Sequence, residues 1–359
     1  MTVPLRVLVR VDASPMIGLG HAMRCLALIE ALRAAGHVVQ VCTTALPERV
    51  AAAMRTTGST ITHIAAQPGD DADAIATSAL ATLHGSDWVI ADGYCFAVAW
   101  QARVRATGVR LALLDDEARA ARWDADLLLN QNAGVSMAAY AASAPGAVLL
   151  LGPRYALLRT AFETWRGWLR EVPPLARHLL LTLGGADPDN LTARLIPGLA
   201  GCEGLAVRVL LGAANPHRAA VTAAVAGAAG AATFTVLDHV DDMAAQMAWA
   251  DLAISAGGST LWELAFMQVP SLVLVLADNQ RGGAHACEAA GMADVIGDEA
   301  AIDPVAVGQA VRALRGDAAV RAAMARAGRQ LVDGDGAHRV VQALVTQAQR
   351  APSLVAHAG

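Results

Sequence analysis

Residues 5–36 read "LRVLVRVDASPMIGLGHAMRCLALIEALRAAG". The first seven are a short, mostly apolar run rich in β-branched residues, as in a buried strand. Gly18, Gly20 and His21 stand on the turn that leaves it. A helix follows, on which Met23, Leu26, Ala27, Ile29 and Leu32 mark one broad apolar face, and Gly36 offers a C-cap. Strand, glycine turn and helix together make the first half of a βαβ unit. The alternation continues through "HVVQVCT", "DWVIAD", "VRLALLDD", "ADLLLNQN" and "AVLLLG", with Ala-rich stretches between them. This predicts a parallel sheet covered on both faces.

The pattern then restarts. "FETWRGWLREVPPLARH" carries two Trp and a Pro-Pro pair, and reads as a helix followed by a linker. Beyond it come "HLLLTLGGADPDN", "LAVRVLLG", "TFTVLDHV", "ADLAISAGG", "PSLVLVLA" and "ADVIG". The expectation is an α/β chain of two doubly wound, Rossmann-like domains that face one cleft. The first spans residues 1–170 and the second 177–345, with a tail at 346–359. The last stretch reads as helical with a glycine break at 334–336. In open α/β sheets ligands bind outside the carboxyl ends of the strands. The loops after the leading strand of each half are therefore where a site is expected.

Composition narrows the function. Of 359 residues, 55% are hydrophobic and 16% charged, which argues against disorder; the 4% of aromatics leaves Ala, Val and Leu to fill the core. A formal charge of −5 disfavours a nucleic-acid binder or a polybasic membrane adaptor, but allows a small anionic ligand. No stretch reaches the roughly 18 to 20 apolar residues of a membrane span, and the start reads as a strand rather than a signal peptide. The five cysteines are odd in number, scattered and without CxxC spacing, so free thiols and a cytoplasmic location are expected.

Three loops can carry chemistry. The first holds Asp12, Gly18, Gly20 and His21. It lacks the third glycine of a dinucleotide fingerprint and the Gly-Lys-Ser/Thr of a P-loop. His21 is either a base that works near neutral pH or a cap of the loop. The second holds Gly184 and Gly185, with Asp187 and Asn190 as candidate caps of the next helix. The third, "ADLAISAGGSTLWELAF" at 250–266, is the strongest. Its strand ends at Ser255, Gly257 and Gly258 permit close backbone approach, Ser259 and Thr260 supply hydroxyls, and a helix begins. That arrangement suits a diphosphate. Glu263, one turn on, could take the two hydroxyls of a ribose or simply favour the helix start. Asn279 and Gln280 end the following strand, and Asp92 and Tyr94 end one in the first half. The acids Asp115, Asp116 and Glu117 read as solvated or Arg-paired rather than as a metal site, since no metal-ligand spacing accompanies them.

At these residues the chain resembles a known family, the UDP-sugar hydrolases of pseudaminic acid biosynthesis. The similar segments include "RVDASPMIGLGHAMRCLAL", "LLDDEARAARWDADLLLNQNAG", "GPRYALLRTAF", "TLGGADPDNLT", "ISAGGSTLWELAF", "DNQ" and "DGDGAHRV", collinear over most of residues 5–340. The resemblance implies a GT-B-like fold and cleavage of UDP-2,4-diacetamido-2,4,6-trideoxy-β-L-altropyranose without a cofactor or required metal. It implies catalytic roles for His21, Tyr94 and Asn279. Ile254, Ser255, Gly258, Ser259, Thr260 and Glu263 match the uridine-diphosphate site, with Gly185 and Gln280 at its rim. Asp12, Gly18, Gly20 and Asp92 fall to the sugar side. "ADGY" departs from the family's more usual bulky or basic residue before the tyrosine, which implies a difference in the sugar pocket. A UDP-sugar glycosyltransferase and a non-catalytic nucleotide-sugar module remain open on the same residues.

Overall fold

The computed structural model describes residues 3–349 except 15–16, 186, 213–214, 239, 241 and 299–300. The part of the expected tail from residue 350 onward lies outside the described residues. Two all-parallel sheets carry the fold. The first contains β1 (Arg6–Val11), β2 (Val38–Thr43), β3 (Thr60–His63), β4 (Trp88–Asp92), β5 (Arg110–Leu114), β6 (Leu127–Asn130) and β7 (Val148–Leu151). Its spatial order is β3-β2-β1-β4-β5-β6-β7. The second contains β8 (His178–Thr182), β9 (Ala206–Leu211), β10 (Thr233–Asp238), β11 (Leu252–Ala256), β12 (Ser271–Val275) and β13 (Ala293–Asp298), in the order β10-β9-β8-β11-β12-β13. The expected two doubly wound α/β halves are thus present.

Strand order reverses between β1 and β4 in the first sheet and between β8 and β11 in the second. A crevice opens at such a reversal, because the following connections leave on opposite faces. Register brings the ends together there: Val11 lies opposite Asp92, and Ser255 opposite Thr182. The four loops at the two reversals are those that follow Val11, Asp92, Thr182 and Ala256.

Both faces of each sheet are buried, which is why the strands read as continuous apolar runs. Val7, Val9 and Val11 pack under the first helix, Gly20–Ala34, while Leu8 packs on the other face with Val89, Phe96 and Trp100. In the second sheet Leu180, Ala253 and Val273 face one core, and Leu179, Leu181, Ile254 and Leu272 face the other. The GT-B-like arrangement follows from two such sandwiches placed with their strand carboxyl ends facing each other.

The link between the halves differs from its sequence reading. Only a 3₁₀ segment, Thr160–Trp165, forms where a helix was expected. Tertiary contacts override local propensity here: the Arg170 guanidinium donates to the carbonyls of Met247, Ala250 and Met267 of the second half. The final helix, Gly336–Gln349, follows the break at Gly334, whose φ is +90°. Its Ala337, Val340, Val341 and Leu344 enter the core of the first half, although residues up to 345 were grouped with the second. Gly336 makes the return possible, since a Cβ there would lie 2.2 Å from the Ala156 carbonyl oxygen. Trp88 Nε1 donates to the Leu344 carbonyl at 3.2 Å and ties the helix to β4.

Leu344 is fully buried in this returning helix. Leu344→Ala is expected to destabilise the protein by about 2–5 kcal/mol, the usual cost of such a truncation. Urea unfolding followed by the fluorescence of Trp88 and its neighbours checks this; a midpoint equal to that of the unsubstituted chain would refute the anchoring role.

Candidate functional site

The site is built where the two reversals face each other. The β1 loop enters the first helix through Gly18, in the left-handed region at φ +81°, with Gly18 N–H donating to the Ser14 carbonyl at 2.8 Å. Gly20 starts the helix and His21 follows on its first turn. His21 is 7% exposed, and its Nδ1 lies 2.7 Å from Asp92 Oδ1 at the end of β4. Asp92 is itself buried. Burial alone would raise its pKa, but the Arg24 guanidinium, and then His21, outweigh burial and hold the carboxyl well below its usual range.

Arg24, one helical turn after His21, is a functional candidate that sequence reading missed. It donates from Nε and Nη2 to the two Asp92 oxygens, each at 2.6 Å, and from Nη1 to Asp116 Oδ1 at 2.6 Å. The signal was present as "GHAMR": residues three apart share a helix face, so a base at position 21 implies that position 24 also faces the site. The expected Arg pairing of the acidic loop is present at Asp116. Asp115 is engaged differently, accepting from the Tyr140 hydroxyl at 2.5 Å. Among the described residues no cluster of three or more His, Cys, Asp or Glu has the geometry to hold a metal ion.

Tyr94 packs edge-on against His21, with ring centroids 4.9 Å apart. Its hydroxyl donates to Asp116 Oδ2 at 3.0 Å and accepts from Asn279 Nδ2 at 2.9 Å. Burial, and then the Asp116 charge, raise the tyrosine pKa, so it remains a neutral donor. The Tyr94–Asn279 bond crosses the cleft. Arg119 Nη2 to Asp278 Oδ2, at 3.0 Å, crosses beside it.

On the second half, β11 leads through Gly257 and Gly258 into the helix Thr260–Phe266. Its hydrogen-bond ladder opens with Leu261 N–H to the Gly258 carbonyl at 3.0 Å, so the amides of Gly258, Ser259 and Thr260 precede it. A Cβ at Gly258 would meet nothing within 4 Å, whereas one at Gly20 would lie 3.8 Å from Ser259 Oγ. The histidine loop and the Gly-Ser-Thr loop are therefore neighbours across the cleft. Gly185 joins them, since its missing Cβ would meet Leu19 at 3.5 Å.

Several expected contacts are committed within the protein. Ile254 is a core residue of β11, and Ser255 Oγ is buried and donates to the Ala256 carbonyl. Neither side chain is free to meet a ligand, and their strand is paired on both sides. Gln280 Oε1 accepts from Gly257 N–H at 3.2 Å and Leu276 N–H at 3.1 Å, so it fixes the glycine loop. Asp12 accepts from Arg10, Thr43 Oγ1 and Thr44 N–H; it knits β1 to the end of β2 and has no oxygen uncommitted. Asp92 likewise acts through His21 and Arg24. Asp187 caps the helix Leu191–Ala200 by accepting from Leu191 and Thr192 N–H, whereas Asn190 makes no side-chain cap bond. Glu263 pairs with Arg159 Nη2 at 3.2 Å, and burial, opposed by Arg159, raises its pKa.

Comparison with known proteins agrees with this fold. Residues 180–340 match the family model of the glycosyltransferase family 28 C-terminal domain. The chain is 30% identical over 200 residues to the spore coat polysaccharide biosynthesis protein SpsG of Bacillus subtilis (strain 168), covering 54% of this chain and 57% of that one. It is 32% identical over 180 residues to the UDP-N-acetylglucosamine–N-acetylmuramyl-(pentapeptide) pyrophosphoryl-undecaprenol N-acetylglucosamine transferase of Xanthomonas axonopodis pv. citri (strain 306), covering 48% and 42%. The chain thus spans about half the length of these curated relatives. Among solved structures, MurG of Acinetobacter baumannii superposes with a TM-score of 0.69 at 19% identity, over 96% of this chain and 100% of that one. The UDP-GlcNAc 2-epimerase of Neisseria meningitidis superposes at 0.66 and 13%, over 95% and 100%. The fold is GT-B-like. Among the described residues no helix is long and apolar enough to cross a membrane, and all five cysteines are free.

The lowered Asp92 pKa has a consequence for stability. The unfolded chain binds this proton more readily than the folded one, so the pairing contributes stability above the ordinary carboxylate pKa of 3.8. That contribution is lost as pH falls below this value toward the lower folded-state pKa. Urea midpoints measured from pH 5 down to pH 2.5 should fall, and Asp92→Asn should flatten the slope; an equal slope in both proteins would contradict the assignment.

Proposed function

We propose that this protein is a nucleotide-sugar hydrolase that releases UDP from a UDP-linked 2,4-diacetamido-2,4,6-trideoxy sugar by attack of water at the anomeric carbon. The observation that carries the reading is a pair of hydrogen-bond acceptors beside one tyrosine. With Nδ1 facing an ionised Asp92, His21 keeps its proton there, and Nε2 is left as an acceptor. With Nδ2 donating to Tyr94, Asn279 is left with Oδ1 as an acceptor. A water molecule has two protons, one for each acceptor, and keeps a lone pair for attack. A sugar hydroxyl has a single proton and can satisfy one of them.

The chemistry then needs little else. His21 Nε2 takes a proton from the water as its oxygen bonds to C1. The C1–O bond to the β-phosphate breaks, and its electron pair leaves on UDP. The amides of Gly258, Ser259 and Thr260 stand where they can stabilise the diphosphate as charge builds on it. Glu263 takes the ribose hydroxyls. Attack opposite the leaving group inverts the anomeric centre and yields a free reducing sugar. Asp92 orients the imidazole and stabilises the imidazolium that forms. The 2,4-diacetamido sugar and a place in nonulosonic acid biosynthesis rest on the resemblance at "GPRYALLRTAF" and the collinear motifs. A relative named for polysaccharide biosynthesis is consistent with that setting.

The match of the second half to a glycosyltransferase domain favours a second reading, in which His21 activates an acceptor hydroxyl. Incubation with a panel of UDP-sugars and no acceptor separates the two. Hydrolysis gives stoichiometric UDP and a free sugar, whereas a transferase gives neither.

Two substitutions test the assignments. His21→Asn should fold and bind UDP normally but lower kcat by about 10²-fold or more through loss of the general base. In ¹⁸O-water the label should appear on the sugar; label on UDP would place the attack at phosphorus and end this reading. Glu263→Ala should weaken UDP binding by about 1–3 kcal/mol, the range for hydrogen bonds to a charged group. Unchanged affinity by calorimetry in a folded variant would remove the ribose assignment.

A further inference from the structure

We propose that Arg24 is the positioning residue of this site: through two carboxylates, one guanidinium orients both acceptors that hold the attacking water. The identity of that water rests on the hydrolytic reading above; the orientation of the two acceptors rests on the hydrogen-bond geometry and on both carboxylates being ionised.

Two arms leave Arg24. Along the first, Nε and Nη2 engage both oxygens of Asp92 at 2.6 Å, and Asp92 Oδ1 lies 2.7 Å from His21 Nδ1. Along the second, Nη1 engages Asp116 Oδ1 at 2.6 Å, and Asp116 Oδ2 accepts from the Tyr94 hydroxyl at 3.0 Å. The Tyr94 oxygen in turn accepts from Asn279 Nδ2 at 2.9 Å. Each arm has one direction of donation. An ionised carboxylate only accepts, so His21 must present Nδ1–H to Asp92, and Tyr94 must present its proton to Asp116. The tyrosine oxygen then has only lone pairs to offer, so Asn279 must present its amide NH₂. Both arms therefore end in an acceptor, His21 Nε2 on one half of the molecule and Asn279 Oδ1 on the other.

The choice of arginine follows from this. Its donors lie in one plane at fixed angles, so binding two Asp92 oxygens on one edge and Asp116 on another fixes the carboxylates relative to each other. A lysine would supply the charge without the plane. Secondary contacts hold the same carboxylates: Cys25 Sγ lies 3.5 Å from Asp92 Oδ2, and Asn132 Nδ2 donates to Asp116 Oδ1 at 3.3 Å. Arg24 is 7% exposed and lies behind His21 and Tyr94, so it acts on the substrate only through them.

The test combines a tautomer measurement with a double-mutant cycle on the full chain. In the unsubstituted protein, ¹⁵N NMR of the His21 ring should report a single Nδ1–H tautomer, and in Arg24→Gln a mixture. With a UDP-sugar that the protein hydrolyses, Arg24→Gln should lower kcat by about 10²-fold while KM and UDP affinity change less than about threefold. In a His21→Asn background the same substitution should cost less than about tenfold, because the His21 arm is already lost. Arg24→Gln combined with Asp116→Asn removes one charge of each sign, and provides a variant for the tautomer measurement should the single substitution fail to fold. An unchanged tautomer, an unchanged kcat, or the full 10²-fold loss repeated in the His21→Asn background overturns the proposal. If the protein hydrolyses no UDP-sugar, the function reading fails, and the tautomer measurement still decides the role of Arg24.

Discussion

A guanidinium between two buried carboxylates sets the terms for the rest of this site. Ionised groups removed from water are costly unless each finds a partner. Arg24 meets this demand with three short bonds to Asp92 and Asp116, and both acids keep pKa values below the usual range although burial works against them. Neither the His21 tautomer nor the donor role of Tyr94 would be defined if these acids were protonated. A second set of buried charges lies at the same sheet end, where Arg10 joins Asp12 and Asp73. It ties β1 to the helix Asp71–Leu83 that carries Asp73, and among the described residues it makes no bond to the first set. One ionic cluster thus holds the strand end, and another holds His21 and Tyr94.

The polar clusters sit at the reversal of strand order because polar side chains have room there. Elsewhere both faces of each sheet are covered, and β1, β4, β8 and β11 are apolar along nearly all their length. At or just past their carboxyl ends the chain leaves the apolar layers, at Arg10, Asp12, Asp92, Gly184 and Gly257. Fold and site thus follow from the same constraint, a buried parallel sheet whose connections diverge at one point.

Much of this was legible in the sequence. Apolar runs alternating with Ala-rich helices identified two doubly wound halves, and glycines after strands picked out the loops that meet in the cleft. Less legible was which polar groups are free to act. Asp12 stands in the loop after β1, and Gln280 stands not at the strand end but on the first turn of the helix Asp278–Ala289, yet their oxygens are consumed by Arg10 and Thr44 and by Gly257 and Leu276. Nothing in local pattern distinguishes such a residue from one open to a ligand, because the partners come from distant segments. Arg24 was missed for the same reason, its partners being 68 and 92 positions away. The returning helix, Gly336–Gln349, was assigned to the nearer half in sequence. Its amphipathic face says that it packs somewhere, and only the close approach at Gly336 selects the first sheet.

The two ends of the network belong to different halves of the molecule. His21 Nε2 is fixed by Asp92 from within the first half, whereas Asn279 is fixed only because its amide reaches Tyr94 across the cleft. Separation of the halves would leave His21 correctly protonated but without the second acceptor. The Gly-Ser-Thr loop would also withdraw from Gly20. The His21 loop, Asn279 and the Gly-Ser-Thr loop are therefore brought together by contacts that cross the cleft. A GT-B-like architecture builds one cleft from two sheets, and a few polar contacts, Tyr94 to Asn279 and Arg119 to Asp278, join the halves across it.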